Sequence, residues 1–251
     1  MKSKKLITGF FLLLFCIGAV NGTAQTVPPG KSTQKSVVFS RKIKKTLSIK
    51  YLVYVPAGYE TSDESYPLIL FLHSSEEKGD DLNLVRKCGL PNILEGNDDF
   101  PFVVVSPQCP ENEILGWNTE NLIRLLDEIV LKYRIDERSV YLTGMSMGGR
   151  GVWSLAIEHP ERFAAIAPVC GYGLPFQTGR LKGMPVWIFH GAKDQVVPVQ
   201  NSYDMADALR RKGAEVNHTG YPESGHDVWT ETYNSPKLYE WFLQHKKESS
   251  D

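Results

Sequence analysis

The run Tyr66-Pro67-Leu68-Ile69-Leu70-Phe71-Leu72 is almost unbroken in its apolarity, and a strand can carry such a run only if both of its faces are buried. Phe102-Val103-Val104-Val105-Ser106, Ser139-Val140-Tyr141-Leu142-Thr143, Phe163–Val169 and Pro185–His190 repeat the pattern, each rich in apolar, β-branched or aromatic residues. Between them lie helical stretches. From Thr119 to Tyr133, residues Leu122, Leu125, Leu126, Ile129, Val130 and Tyr133 recur at helical spacing and form one apolar stripe. Further helices are predicted near Leu82–Cys88, over Arg150–His159 before Pro160, over Gln200–Lys212 and over Pro236–His245. Ser36–Ser40 and Leu47–Pro56 read as a hairpin, the second run alternating as a strand with one wet face does, and Glu215–Tyr221 reads as the last strand. Doubly buried strands alternating with helices specify an α/β fold: a mostly parallel central sheet with helices on both faces.

The chain has 251 residues, enough for one large core. A net charge of -1, with no strongly basic block beyond the N-terminus, argues against nucleic acid as a partner. Met1-Lys2-Ser3-Lys4-Lys5 is basic, Leu6–Val20 is apolar, and Asn21-Gly22-Thr23-Ala24 offers small residues, the organisation of a signal peptide cleaved after Ala24. The apolar run is shorter than the ~20 residues that span a bilayer, so no stable membrane insertion is expected after cleavage. A lipid-modified Cys16 is the lesser alternative, since Phe15 stands where a small residue is wanted. Residues 25–35 read as a flexible leader and 36–246 as a single domain, destined for the periplasm or the exterior. Cys88, Cys109 and Cys170 allow either one disulfide and a spare thiol or three unpaired buried cysteines. Their spacing makes no zinc site, and Asp80-Asp81 lacks the further carboxylates a Ca²⁺ or Mg²⁺ site wants, so neither metal nor cofactor is expected. The sequence leaves the oligomeric state open.

Gly144-Met145-Ser146-Met147-Gly148-Gly149 joins the strand ending at Thr143 to the helix that follows. A serine between glycines at a strand-to-helix turn is a nucleophile elbow: the sharp turn strains the serine backbone and leaves no room for bulky neighbours. The helix aims its backbone N–H groups at the place where negative charge would develop. A serine hydroxyl needs a base, and the base needs an acid to orient it. Asp194, in His190-Gly191-Ala192-Lys193-Asp194, directly follows a buried strand, and His226, in Ser224-Gly225-His226-Asp227, directly follows the last one. Both fall where open α/β sheets place their ligands.

On these motifs the chain, from about Leu47 to His245, resembles the α/β-hydrolases. More closely it resembles the secreted esterases related to feruloyl and acetylxylan esterases and polyhydroxybutyrate depolymerases, which are akin to the prolyl oligopeptidase and dienelactone hydrolase group. The carrying stretches are Gly144–Gly149, His190–Asp194 with Val196-Val197-Pro198, and Ser224–His226. The resemblance implies an α/β-hydrolase fold with Ser146 as nucleophile, Asp194 as acid and His226 as base. It also implies an oxyanion hole made by the backbone N–H of Met147 and that of Ser75. The sequence departs from the pattern there. Relatives read His-Gly-x-Gly-x-x-Gly, and this chain reads His73-Ser74-Ser75-Glu76-Glu77-Lys78-Gly79. A positive φ at Ser74 or Glu76 would cost of order 1 kcal/mol or more.

Trp117 and Gln108 are candidates for lining the substrate cleft. Trp229, three residues after His226, could wall the base, though burial in the core is the favoured expectation, and His73 is expected to be structural. The expected activity is hydrolysis of carboxylic esters through an acyl-enzyme, with feruloyl or acetyl groups on polysaccharides or oligosaccharides as substrates by resemblance. The alternatives are a peptidase of the prolyl oligopeptidase kind and a non-catalytic carbohydrate-binding protein on a hydrolase scaffold.

Overall fold

A computed structural model of the chain describes residues 38–42, 44 and 46–248. The chain divides into two units, Met1–Lys45 and Thr46–Asp251. In the first, the described residues 38–42 and 44 carry no regular secondary structure. The expected signal peptide, its cleavage point at Ala24, Cys16 and the leader over 25–35 lie outside the described residues.

The second unit is built on β1 (Tyr51–Tyr54), β2 (Tyr66–Leu72), β3 (Val103–Pro107), β4 (Ile135–Met145), β5 (Ala165–Val169), β6 (Val186–Gly191) and β7 (Val216–Tyr221). They form a 7-stranded sheet in the order β1-β3-β2-β4-β5-β6-β7. All neighbours are parallel except β1, which pairs antiparallel with β3, Tyr51 opposite Pro107 and Tyr54 opposite Val104. This corrects the expected hairpin. The half-wet strand around Tyr51–Tyr54 exists, but it caps the outer edge of doubly buried β3 and satisfies that edge's backbone groups. Of the proposed hairpin partner, Ser36 and Val37 lie outside the described residues, and Val38–Ser40 form no strand.

Two cores flank the sheet, and the period-2 geometry of a strand divides β2 between them. Leu68, Leu70 and Leu72 face one core, with Val105, Leu142, Trp153 and Met205. That side is covered by α3 (Thr119–Lys132), α4 (Met147–Glu158) and α5 (Gln200–Arg210). Ile69 and Phe71 face the other core with Leu90, Tyr141, Tyr233 and Phe242. There the cover comes from α2 (Gly89–Leu94), α6 (Trp229–Asn234) and α7 (Pro236–Leu243). Each of these large side chains contributes roughly 1.5–3 kcal/mol by leaving water.

Helix α3 starts where the Asn118 side chain accepts a hydrogen bond from the Asn121 N–H at 3.0 Å, and it buries Leu122, Leu125, Leu126 and Ile129 as its stripe requires. Helix α4 begins earlier than its sequence suggests. Gly148 and Gly149, poor helix formers, occupy its first turn because packing rather than propensity decides there. The short α1 (Leu82–Arg86) matches the helix expected near Leu82.

From β2 the chain runs outward to β3 and then returns to the other side of β2 for β4. A crevice at the carboxyl ends of the strands follows from such a reversal. Cys88, Cys109 and Cys170 are all free thiols, as in the unpaired alternative, but only Cys109 and Cys170 are buried, and Cys88 is half-buried.

Candidate active site

Ser146 occupies the single residue between β4 and α4, with φ 54° and ψ -113°. Among the described residues only Ser146 and Cys170 hold a positive φ without being glycine. The conformation costs roughly 1–3 kcal/mol and persists only where neighbours fix it. The Ser146 N–H donates to the Val169 carbonyl at 2.9 Å, and its own carbonyl accepts from Arg150 N–H at 3.0 Å. Gly148 lies so close to the end of β2 that a Cβ there would come within 1.9 Å of the Leu72 carbonyl oxygen. That approach draws the start of α4 against β2 and leaves the serine hydroxyl at the apex.

Asp194 follows β6 and His226 follows β7, and one close contact binds their loops together. A Cβ on Gly191 would lie 2.0 Å from the Gly225 carbonyl oxygen, so only glycine lets the two backbones meet. Lys193 N–H donates to Ser224 O at 3.0 Å across the same junction. The structure thereby brings together the three residues singled out in the sequence. The Ser146 hydroxyl donates to His226 Nε2 at 2.8 Å. His226 Nδ1 donates to Asp194 Oδ2 at 2.7 Å. Asp194 Oδ1 accepts from the N–H groups of Val196 at 2.8 Å and Val197 at 2.9 Å.

Burial works to raise the Asp194 pKa. The hydrogen bond from His226, those from Val197 and Val196, and the charge of His226 outweigh it and hold the carboxyl below its ordinary range. An ionised acid, a half-buried imidazole and a serine hydroxyl in one hydrogen-bonded line can move the hydroxyl proton onto the ring. Among the described residues no cluster of His, Cys, Asp and Glu could hold a metal ion.

The loop after β2 carries the departure from the glycine-rich pattern. Ser74 adopts φ -78°, and neither it nor Glu76 has a positive φ, so the strain anticipated for this loop is absent. Side chains shape the turn instead. The Ser74 hydroxyl donates to Glu77 Oε2 at 2.7 Å and accepts from Glu76 N–H at 3.3 Å. Burial raises the Glu77 pKa, with the Ser74 hydrogen bonds only partly offsetting it. His73 is wholly buried. Its Nδ1 donates to Ser74 O at 2.6 Å and its Nε2 accepts from Cys109 N–H at 2.9 Å. Burial, slightly aided by Lys78 and opposed by the bond to Ser74, lowers its pKa to about 4 and keeps the ring neutral. Ser75 is exposed on this turn. Met147 is the first residue of α4, where a backbone N–H has no acceptor inside the helix.

Gln108 does not line the cleft. It is 1 % exposed, and its Nε2 donates to Glu77 O and Asp81 O, both at 2.9 Å, tying the loop after β2 to the end of β3. Sequence places it at a strand end, but the loop over 77–81 covers that end. Trp117 sits closer to the site. Its Nε1 donates to His73 O at 3.2 Å, and with Leu115, Met147 and Arg150 it lines a small cleft beside the first turn of α4. Trp229 corrects the core expectation: it is half-buried and stands edge-on to the His226 ring, 5.5 Å between centroids. It begins α6, a helix too short to be legible from periodicity.

The comparisons with known proteins point to the same fold. A model of the prolyl oligopeptidase family matches residues 176–249, the stretch that holds Asp194 and His226. A probable feruloyl esterase C of Aspergillus terreus is 25% identical over 187 residues, covering 70% of this chain and 66% of that protein. A bifunctional acetylxylan esterase/xylanase of Neocallimastix patriciarum is 27% identical over 160 residues, 59% of this chain and 22% of that protein. The crystal structure of a thermostable esterase superposes with a TM-score of 0.69 at 32% identity, covering 79% of this chain and 60% of that one. The chain thus spans two thirds or less of the length of each of these relatives. With its switched parallel sheet, its serine at the strand-to-helix turn and these relatives, the chain has the α/β-hydrolase fold.

Proposed function

We propose that this chain is an exported serine hydrolase that cleaves carboxylic esters. The observation that carries the reading is the unbroken line Ser146–His226–Asp194 at the carboxyl ends of β4, β6 and β7. His226 takes the Ser146 proton as the oxygen attacks the ester carbonyl. The backbone N–H groups of Met147 and Ser75 receive the oxyanion. The imidazolium, steadied by Asp194, then gives its proton to the leaving alkoxide. Water, activated by the same ring, hydrolyses the acyl-enzyme and restores the serine.

The names of the relatives, feruloyl esterase and acetylxylan esterase, support acyl esters of polysaccharides or oligosaccharides as substrates. The N-terminal basic and apolar segments support export to the periplasm or exterior. The unstrained loop at Ser74 supports the catalytic reading over a non-catalytic scaffold. The prolyl oligopeptidase match favours a peptidase as the second reading. Burst kinetics with p-nitrophenyl acetate, set beside a peptidyl p-nitroanilide, separate the two. A rapid burst equal to the enzyme concentration with the ester supports the esterase, and turnover of the anilide alone supports the peptidase.

A further inference from the structure

Asp194 is shared by two imidazoles. Its Oδ2 receives His226 Nδ1, and it also lies 3.1 Å from Nε2 of His190. The same His190 nitrogen is 2.9 Å from the Val197 carbonyl oxygen. Two acceptors, a carboxylate and a carbonyl, face one ring nitrogen, so that nitrogen carries a proton. On the other side of the ring, Nδ1 lies 2.5 Å from Ser202 Oγ. Ser202 is itself buried, in the first turn of α5. Both His190 and the Asp194 side chain are fully enclosed. Burial lowers the His190 pKa more than the nearby Val197 carbonyl and Asp194 raise it, which favours a neutral ring whose Nδ1 accepts from the serine hydroxyl.

We propose that Ser202 and His190 are positioning residues for the acid: the Ser202 hydroxyl fixes the Nε2–H tautomer of His190, and that N–H holds Asp194 Oδ2 toward His226. The inference rests on the serine-hydrolase reading of the site and deepens it. The two amides of Val196 and Val197 grip only Oδ1 and leave the carboxylate free to pivot about it. The His190 N–H prevents that pivot and, through Val197 O, ties the whole 194–197 turn to α5. No proton is transferred along this arm. His190 starts and ends each cycle neutral, and its contribution is orientation.

The test uses the full chain and two readouts. Imidazole nitrogen–proton correlation spectra of ¹⁵N-labelled protein report the tautomer of His190 and the His226 Nδ1 proton shared with Asp194, with or without turnover. The neutral Nε2–H form is expected between about pH 6 and 9. Ser202→Ala is expected to weaken or broaden the His226 Nδ1 proton signal. It should lower kcat for p-nitrophenyl acetate about 5-fold with KM unchanged, the size of one lost hydrogen bond, and Ser202→Thr should restore it. A His190 found charged or as the Nδ1–H tautomer in the wild type overturns the proposal, whether or not the variants fold. So does a Ser202→Ala protein whose His226 proton signal and kcat are both unchanged. If the wild type hydrolyses no ester, the esterase reading fails while the two spectral signals still decide the positioning arm.

Discussion

Gly148 sits so close to Leu72 that a single methyl group on it would reach 1.9 Å from the Leu72 carbonyl oxygen. The contact is backbone against backbone and cannot be relieved by a rotamer change. Gly96 is the useful comparison: its added Cβ would meet nothing within 4 Å, although its φ is 75°. Gly148→Ala is therefore expected to cost about 3 kcal/mol or more, or to prevent folding, whereas Gly96→Ala should cost only about 1 kcal/mol. Denaturant titrations of the two variants check the difference.

Asp194→Asn is expected to keep the fold and lose activity. An amide placed at Oδ2 would present N–H groups to His226 and His190, both of which donate there. If the amide turned round, its N–H would instead face those of Val196 and Val197. The His226 ring would then lose its tautomer, and kcat should fall about 10³–10⁴-fold. Circular dichroism alongside steady-state kinetics separates this from unfolding.

The loop after β2 replaces glycine flexibility with a side-chain clasp, Ser74 to Glu77. Glu77→Gln keeps an acceptor for the Ser74 hydroxyl and should change kcat less than about 3-fold. Glu77→Ala removes it and should lower kcat about 10-fold, with KM little altered, because the Ser75 N–H proposed to receive the oxyanion would be less firmly held. Equal kcat losses in the two variants would contradict a clasp based on hydrogen bonding.

Stability should fall as the solution is acidified, with His73 contributing. The folded ring takes a proton only near pH 4, while an unfolded histidine does so near pH ~6.5. Between those values the unfolded chain binds more protons, so the stabilisation present above pH ~6.5 is lost as pH falls through about 4. For this buried ring the loss is of order 3 kcal/mol. His190, His218 and His245 are shifted in the same direction, chiefly by burial. The measurement is therefore a comparison of urea midpoints for wild type and His73→Gln between about pH 7 and pH 4.5. The variant should show the shallower dependence.

Much of the candidate site was legible because Ser146 and Asp194 each follow an apolar strand and His226 follows the last strand, and parallel strands deliver their carboxyl ends to one edge. The same rule misled at Gln108, whose strand end is covered by the loop it helps to hold. Trp229 was misplaced because α6 is too short to show a period. The clasp at Ser74–Glu77 depends on rotamers, and the shared carboxylate at His190 depends on where α5 places Ser202. Neither leaves a trace in spacing. The edge strand β1 was recognised by its alternation, but its partner β3 lies far along the chain, and local pattern cannot choose between partners.

The proposed proton transfer from Ser146 to His226, with Asp194 orienting the ring, is tested most directly by treating the folded protein with a fluorophosphonate and locating the adduct by peptide mass spectrometry. A single stoichiometric adduct on Ser146, absent in Ser146→Ala and strongly slowed in His226→Ala, is expected. A well-folded wild type that stays unlabelled at Ser146, or is labelled just as fast without His226, would contradict it.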